Sequence, residues 1–395
     1  MLVAVSHKHH FSHFLAAAPN RAHFAAHSHH YWPDVTLAAQ ERAWMDAARM
    51  ADRKWEIVFG EVLPETAAAV ARVLSLPDPA TLAFSPNTHD LLIRLLSSLP
   101  LGRRPKILTS DAEFHSFSRQ IARLEEDALI EVTRVPTQPF ATFERRFAEA
   151  QATVRPDLIY VSQVFFDSGW AIDDLERFVR ALGPSDAWIA IDGYHGFCAI
   201  PTSLRSVADR IFYLGGGYKY AMAGEGACFM HCPPGVALRP RLTGWFAAFG
   251  ALESARSNEV PYGPHGARFL GATFDPSGIY RLRASLGLLE REGLTIDAVH
   301  RHVVALQTAF VETIRSAGPD RLPEASLVVG LDQPTRGHFL TYALPNAKAI
   351  FDRLLAADVV TDVRGDRLRF GFGIYHDEAD VRGGALRVIE ALARA

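Results

Sequence analysis

Lys219 stands in IFYLGGGYKYAMAGEG, after a strand-like apolar run and three glycines, with Tyr218 and Tyr220 on either side. Small neighbours let a backbone approach a ligand closely, and desolvation lowers an amine's pKa until it attacks carbonyl groups. The alternative is a solvated surface lysine, and the glycines do not form a phosphate-loop motif. Asp192, in WIAIDGYHGF, directly follows four apolar strand positions. An acid there is costly unless it faces a cation or accepts hydrogen bonds, although such residues also serve as turn or helix caps. Asn87-Thr88, in FSPNTHDLLIRLL, is a polar turn feeding a helix. Its free N–H groups and dipole suit a phosphate, or Asn87 is a plain N-cap.

Together these residues make one chemical kit: an amine for an aldehyde, an acid for a protonated pyridine nitrogen, and a phosphate seat. That kit matches pyridoxal 5'-phosphate (PLP), whose ring acts as an electron sink when an Asp keeps its nitrogen protonated. His195, three residues after Asp192, lies toward the phenolic side of such a ring.

The elements that must position these groups alternate in a β–α pattern. Short apolar segments at Lys106–Leu108, Leu158–Ser162, Trp188–Ile191 and Ile211–Leu214 read as strands buried on both faces, and TLAFS as a further short one. Leu37–Met50, Pro64–Leu76 and Asp174–Leu182 read as helices. The expected fold is α/β: a large domain with a mainly parallel seven-stranded-type sheet, helices on both faces, and ligand groups at the carboxyl ends of the strands. From about Gly278 the pattern becomes α+β. Helices at 279–293 and Asp297–Ala317 precede a strand pair, HFLTYAL and RLRFGFGIY, with a helix at Ala347–Ala357 between them. The expected organisation is an N-terminal segment 1–35 near the active site, a large domain 36–277 and a small domain 278–395.

The chain has 395 residues, 49% hydrophobic and 22% charged, with a net charge of -3, a balance that gives no basic footprint for nucleic acid. No run of about 18 apolar residues exists to span a membrane, and the start MLVAVSHKHHF lacks the flanks of a signal peptide. Three cysteines, Cys198, Cys228 and Cys232, make no even disulfide framework, and Cys228 and Cys232 with His231 lack one ligand and the spacing of a zinc site. A cytoplasmic location is expected. The first thirty residues are histidine-rich: His7, His9, His10, His13, His23, His27, His29 and His30. Metal ligation, substrate contact and a packed or solvated polar segment all remain open for them.

The order Asp192-x-x-His195, then Tyr218-Lys219, 27 residues after Asp192, resembles the class V branch of fold-type I PLP enzymes. Within that branch the chain resembles kynureninase over nearly its whole length. NTHDLLIRLL resembles the phosphate-binding turn and helix. ILTSDAEFHS resembles the segment whose aromatic residue stacks on the cofactor, here Phe114. LIYVSQVFFDSG resembles the strand whose serine lies beside it, here Ser162. TGWF resembles the Gly-Trp motif, which makes Trp245 a phosphate contact from the partner subunit. TRGHFLTYAL and VVTDVRGDRLRFGFGIYHD resemble the small-domain strands, and place the substrate-carboxylate arginine at Arg369. Arginine's planar fork suits that role, while an ion pair with Asp362 or Asp366 is the alternative.

The resemblance implies an imine of PLP on Lys219, a proton-donor or phosphate role for Tyr218, and a homodimer with shared active sites. It also implies an α-amino acid substrate cleaved hydrolytically between Cβ and Cγ. Two stretches depart from the family. Ala272-Thr273 stands where a Ser-Asn pair meets the substrate's aryl end and the phosphate; Thr273 can still bind phosphate. RAHFAAHSHHYWPD stands where the family has a Leu-Asp-x-Asn-Ser segment. The alternatives are another class V reaction (transamination, epimerisation or β-elimination) or, from a different class, a non-enzymatic binding protein. Cysteine desulfuration is disfavoured, because it needs a loop cysteine near the small domain and residues 233–395 contain none.

Overall fold

The computed structural model describes residues 6–100, 103–251, 258–333 and 335–393; the first five residues of the N-terminal stretch lie outside them. The strands are β1 (Ala22–His23), β2 (Leu82–Ser85), β3 (Lys106–Ser110), β4 (Glu131–Val135), β5 (Leu158–Ser162) and β6 (Trp188–Asp192). They continue with β7 (Ile211–Gly216), β8 (Cys228–His231), β9 (Phe339–Ala343), β10 (Val359–Val360), β11 (Asp362–Arg364) and β12 (Arg367–Gly371).

Seven of them form the central sheet in the order β2-β8-β7-β6-β5-β3-β4. Only β8 runs against the rest, since it is antiparallel to both β2 and β7 while the other neighbours are parallel. The residues explain the burial. β5 is LIYVS and every position is buried, as a parallel strand covered by helices on both faces requires. Each fully buried apolar side chain of this kind contributes roughly 1.5–3 kcal/mol. The helices fall where the 3.6-residue periodicity places them, at Val35–Met50, Leu63–Leu74, Leu175–Ala181, Ser277–Arg291, Ile296–Ala317 and Ala347–Ala356. Asn87 and Asp174 cap their helices by accepting the N–H groups of Asp90 and Arg177 at 2.9 Å.

Toward the C-terminus, β11, β12 and β9 form a three-stranded antiparallel sheet around its own apolar cluster, which includes Phe310, Tyr342, Leu368 and Phe370. The N-terminal segment joins this cluster. β1 pairs parallel with β10, Phe24 packs against Phe310, Phe370 and Phe372, and Ala25 bridges Gly371. The histidine-rich stretch is thereby laid along the strand that carries Arg369. No helix among the described residues is long and apolar enough to cross a membrane.

Candidate active site

Parallel neighbours bring the chemistry together. β5 and β6 pair Ser162 with Asp192, and β6 and β7 pair Asp192 with Leu214, so both polar side chains emerge at one carboxyl edge. β7 then ends in glycines that lead to Lys219. Gly193 and Gly216 are required here by close approach. A Cβ on Gly193 would lie 1.9 Å from Cζ of Tyr213, and one on Gly216 would lie 2.6 Å from Sγ of Cys228.

Asp192 accepts the hydroxyl of Tyr160 at 3.0 Å and the N–H of Tyr194 at 3.0 Å. Burial raises its pKa above the usual carboxylate range, partly offset by Tyr194's N–H and the Lys219 charge. Lys219 is pushed down to about 7 by burial, against the pull of Asp192, so a large fraction of its amine is neutral at neutral pH. Its Nζ contacts Nε2 of His195 and sits 5.4 Å from the centroid of Phe114 and 5.1 Å from that of Tyr194. His195 is buried and held well below its ordinary pKa by desolvation and then by Lys219. Its Nδ1 is buried and has no hydrogen-bond partner among the described residues.

Behind Ser162 lies Glu113, fully enclosed. It accepts the hydroxyls of Ser110 and Ser162 at 2.5 Å each and the N–H of Ser162 at 3.2 Å. Burial pushes it up to about 8 despite those bonds. The opposite wall is Arg369, 3% exposed, stacked over Phe166 and Phe339 at 5.9 and 5.7 Å. Its guanidinium donates to the carbonyl of Phe166 and to Asp362, so the ion-pair alternative is the observed geometry. Among the described residues its Nε has no hydrogen-bond partner, although it is buried.

The structure therefore gathers Asp192, His195, Lys219, Phe114, Ser162 and Arg369. The plain-cap geometry holds at Asn87, and Thr88 opens the helix beside β2. Tyr218 is half-buried against the ring of His29 at 5.9 Å. Trp245 and Thr273 stand outside this group. Trp245 is 45% exposed and packs on Phe246 and Phe249, and Thr273 is exposed. Sequence reasoning missed Glu113, Tyr160, Tyr194, Phe339 and the individual position of His27, whereas Asp362 was already offered as the ion-pair partner of Arg369. Glu113 was adjacent to Phe114 in a quoted segment, and its position one residue before that aromatic was the available signal. His231 spends both ring nitrogens on Thr81 and Ala208, at 2.8 Å each, which places it in the core.

The pattern of the Aminotransferase class-V family matches residues 45–326, more than two thirds of the chain. The chain belongs to the class-V aminotransferase family. This class-V chain is thus a PLP-dependent enzyme. A second pattern, Kynureninase C-terminal domain, matches residues 299–388. The fold is shared with a lysine-to-alanine mutant of C-DES that carries glycine covalently linked to its PLP cofactor: TM-score 0.81, 16% identity, 98% of this chain and 100% of that one. It is shared with the cystine C-S lyase C-DES in complex with cysteine persulfide (TM-score 0.81, 16% identity, 95% and 99% covered). It is shared again with a cysteine desulfurase from Thermococcus onnurineus NA1 (TM-score 0.79, 16% identity, 95% and 96% covered). No curated protein matches the chain in sequence.

The residues present fit PLP. A buried acid hydrogen-bonded by neutral donors, a lysine with a depressed pKa and, among the described residues, an unpartnered histidine nitrogen all border one site.

Proposed function

We propose that this class-V enzyme is of kynureninase type, cleaving the Cβ–Cγ bond of an α-amino acid with a carbonyl in its side chain by hydrolysis. The observation that carries this is the kynureninase-type match over residues 299–388, the stretch that contributes Phe339 and Arg369 to the site wall. The aromatic lining supports it, with Phe166 edge-on to Phe114 at 5.4 Å and to His115 at 5.0 Å. The chain's thiols support it too. Cys198, Cys228 and Cys232 are all buried, and burial pushes each well above its ordinary pKa, so none is placed as the nucleophile of a desulfurase.

PLP supplies an aldehyde that condenses with amines and a protonated ring that withdraws electrons from the adjacent carbon. Lys219 would hold it covalently, Asp192 would keep the ring nitrogen protonated, and Phe114, Ser162 and His195 would border the ring. Asn87 and Thr88 would hold the phosphate, where a helix N-terminus favours an anion. Tyr218, together with Trp245 and Thr273 of a second copy, would complete that phosphate site. The exposed apolar side chains Leu242, Trp245, Phe249 and Val260 support a homodimer.

The chain's own groups then divide the proton work. Lys219, with an amine pKa of about 7, accepts a proton from the substrate's Cα and can return it. Tyr160 and the Tyr194 N–H keep Asp192 oriented. Arg369 orients the substrate carboxylate through the N–H groups not taken by Asp362 and Phe166. The test is product analysis of the PLP-loaded protein. Kynurenine should give anthranilate and alanine; sulfide or persulfide from cysteine or cystine, with kynurenine unchanged, would support the lyase alternative within the same family.

A further inference from the structure

His27 is completely enclosed, yet among the described residues neither of its ring nitrogens has a partner in hydrogen-bond geometry. Its ring stacks on Phe339 with centroids 4.8 Å apart. Its Nε2 lies 3.5 Å from Oδ2 of Asp362, just outside hydrogen-bond geometry, and that is the oxygen Arg369 engages. Arg364 stands 3.0 Å from the other oxygen. One buried carboxylate is thus shared among two guanidinium groups and an imidazole.

The placement is fixed by backbone. Gly371 donates its N–H to the carbonyl of Phe24 at 2.6 Å, and a Cβ on Gly371 would lie 2.1 Å from Nδ1 of His27. Any other residue there would drive the imidazole away. Gly371 is two positions beyond Arg369 on β12, so the N-terminal segment is registered against the arginine itself.

We propose that His27 is a positioning residue that acts through Asp362 on Arg369, and so sets how tightly the site holds a ligand carboxylate. The inference rests on the proposed role of Arg369 as the carboxylate reader. Burial and the Arg369 charge keep His27 neutral, with a pKa of about 3, so it offers a donor without adding repulsion. As an Nε2–H donor it competes with Arg369 for Oδ2 of Asp362. The more Asp362 is drawn to His27, the more of the guanidinium is left for an incoming carboxylate. Without that donor, Oδ2 of Asp362 is left to Arg369 alone, while Arg364 keeps the other oxygen, and the carboxylate opposes the ligand.

Two variants should act in opposite directions. H27F keeps an aromatic ring against Phe339 and removes the donor; D362N removes the competing carboxylate with little change of shape. Each PLP-loaded protein is titrated with L-alanine and with ethylamine, which has the amine but no carboxylate, and the dissociation constant is read from the change in cofactor absorbance. H27F should weaken alanine by about threefold to tenfold and leave ethylamine within about twofold, one full hydrogen bond to a charged group setting the upper end of that loss. D362N should tighten alanine, and H27N, which restores a side-chain N–H, should recover part of the loss.

Shifts of the same sign in H27F and D362N, or an H27F loss equal for both amines, would overturn the proposal, since general damage to the site predicts those. If H27F does not fold, D362N decides alone, with tighter alanine binding in support and equal or weaker binding against. A wild-type protein whose absorbance answers neither amine would instead sink the underlying cofactor site, whereas a normal wild-type response with unsplit variants would sink only the role of His27.

Discussion

His231→Gln isolates one buried histidine far from the chemistry. His231 sits on β8 with no exposure, one nitrogen against the hydroxyl of Thr81 and the other against the carbonyl of Ala208. Burial lowers its pKa from 6.5 to about 4. Between those values the unfolded chain binds a proton that the folded chain refuses. The stabilisation is therefore complete above pH 6.5 and is lost as pH falls toward 4, with a slope of up to about 1.4 kcal/mol per pH unit. The loss reaches about 1.4 kcal/mol at pH 5.5 and about 2 kcal/mol at pH 5. His30 and His376 are likewise lowered to about 4, and His27 to about 3, all by burial first. These groups act in the same direction as His231, whereas Glu113, raised to about 8 by burial, regains stability as pH falls. Glutamine can donate to Ala208 and accept from Thr81 without titrating. Urea unfolding of wild type and H231Q at pH 7.5, 6, 5.5 and 5 should show the variant losing about one proton's worth less stability. Parallel pH profiles for the two proteins would refute the burial argument.

Three further outcomes are expected. Gly193→Ala forces a Cβ to within 1.9 Å of Tyr213, so it should destabilise the fold by about 1–3 kcal/mol in chemical denaturation and weaken PLP retention. Tyr160→Phe removes one of two hydrogen bonds to Asp192; PLP affinity measured by dialysis and absorbance should fall by about tenfold, as expected for a lost bond to a charged group. The rate at which PLP attaches to the cofactor-free protein should rise with pH up to about 7 and then level, because only the neutral amine of Lys219 attacks. A stopped-flow profile that keeps rising to pH 10 would contradict the depressed amine.

What the residues revealed in advance was whatever depends on short range. The strands LIYVS and WIAID are apolar up to their last residues because both faces are covered, and those polar ends, Ser162 and Asp192, mark the carboxyl edge of the sheet. Lys219 was legible from its glycines, which the structure explains by the crowding at Gly216. What stayed hidden depends on packing between distant segments. His27 meets Asp362 and Arg369 only because β1 pairs with β10 across more than three hundred residues of chain, and no periodicity encodes that pairing. Tyr160 alternates onto the same strand as Ser162 and looked like one more buried aromatic until its hydroxyl was seen on Asp192. For Arg369 the geometry selected the ion pair with Asp362 that the local sequence offered, and the proposed carboxylate-binding role would fall to its remaining N–H groups.

The covalent attachment at Lys219 is tested by reducing the PLP-loaded protein with borohydride, digesting it and mapping the pyridoxyl label by mass spectrometry. The label should sit on Lys219 alone and vanish in Lys219→Ala. A label on another lysine, or none on a protein that is folded and supplied with PLP, would contradict an active site built around Lys219 and Asp192.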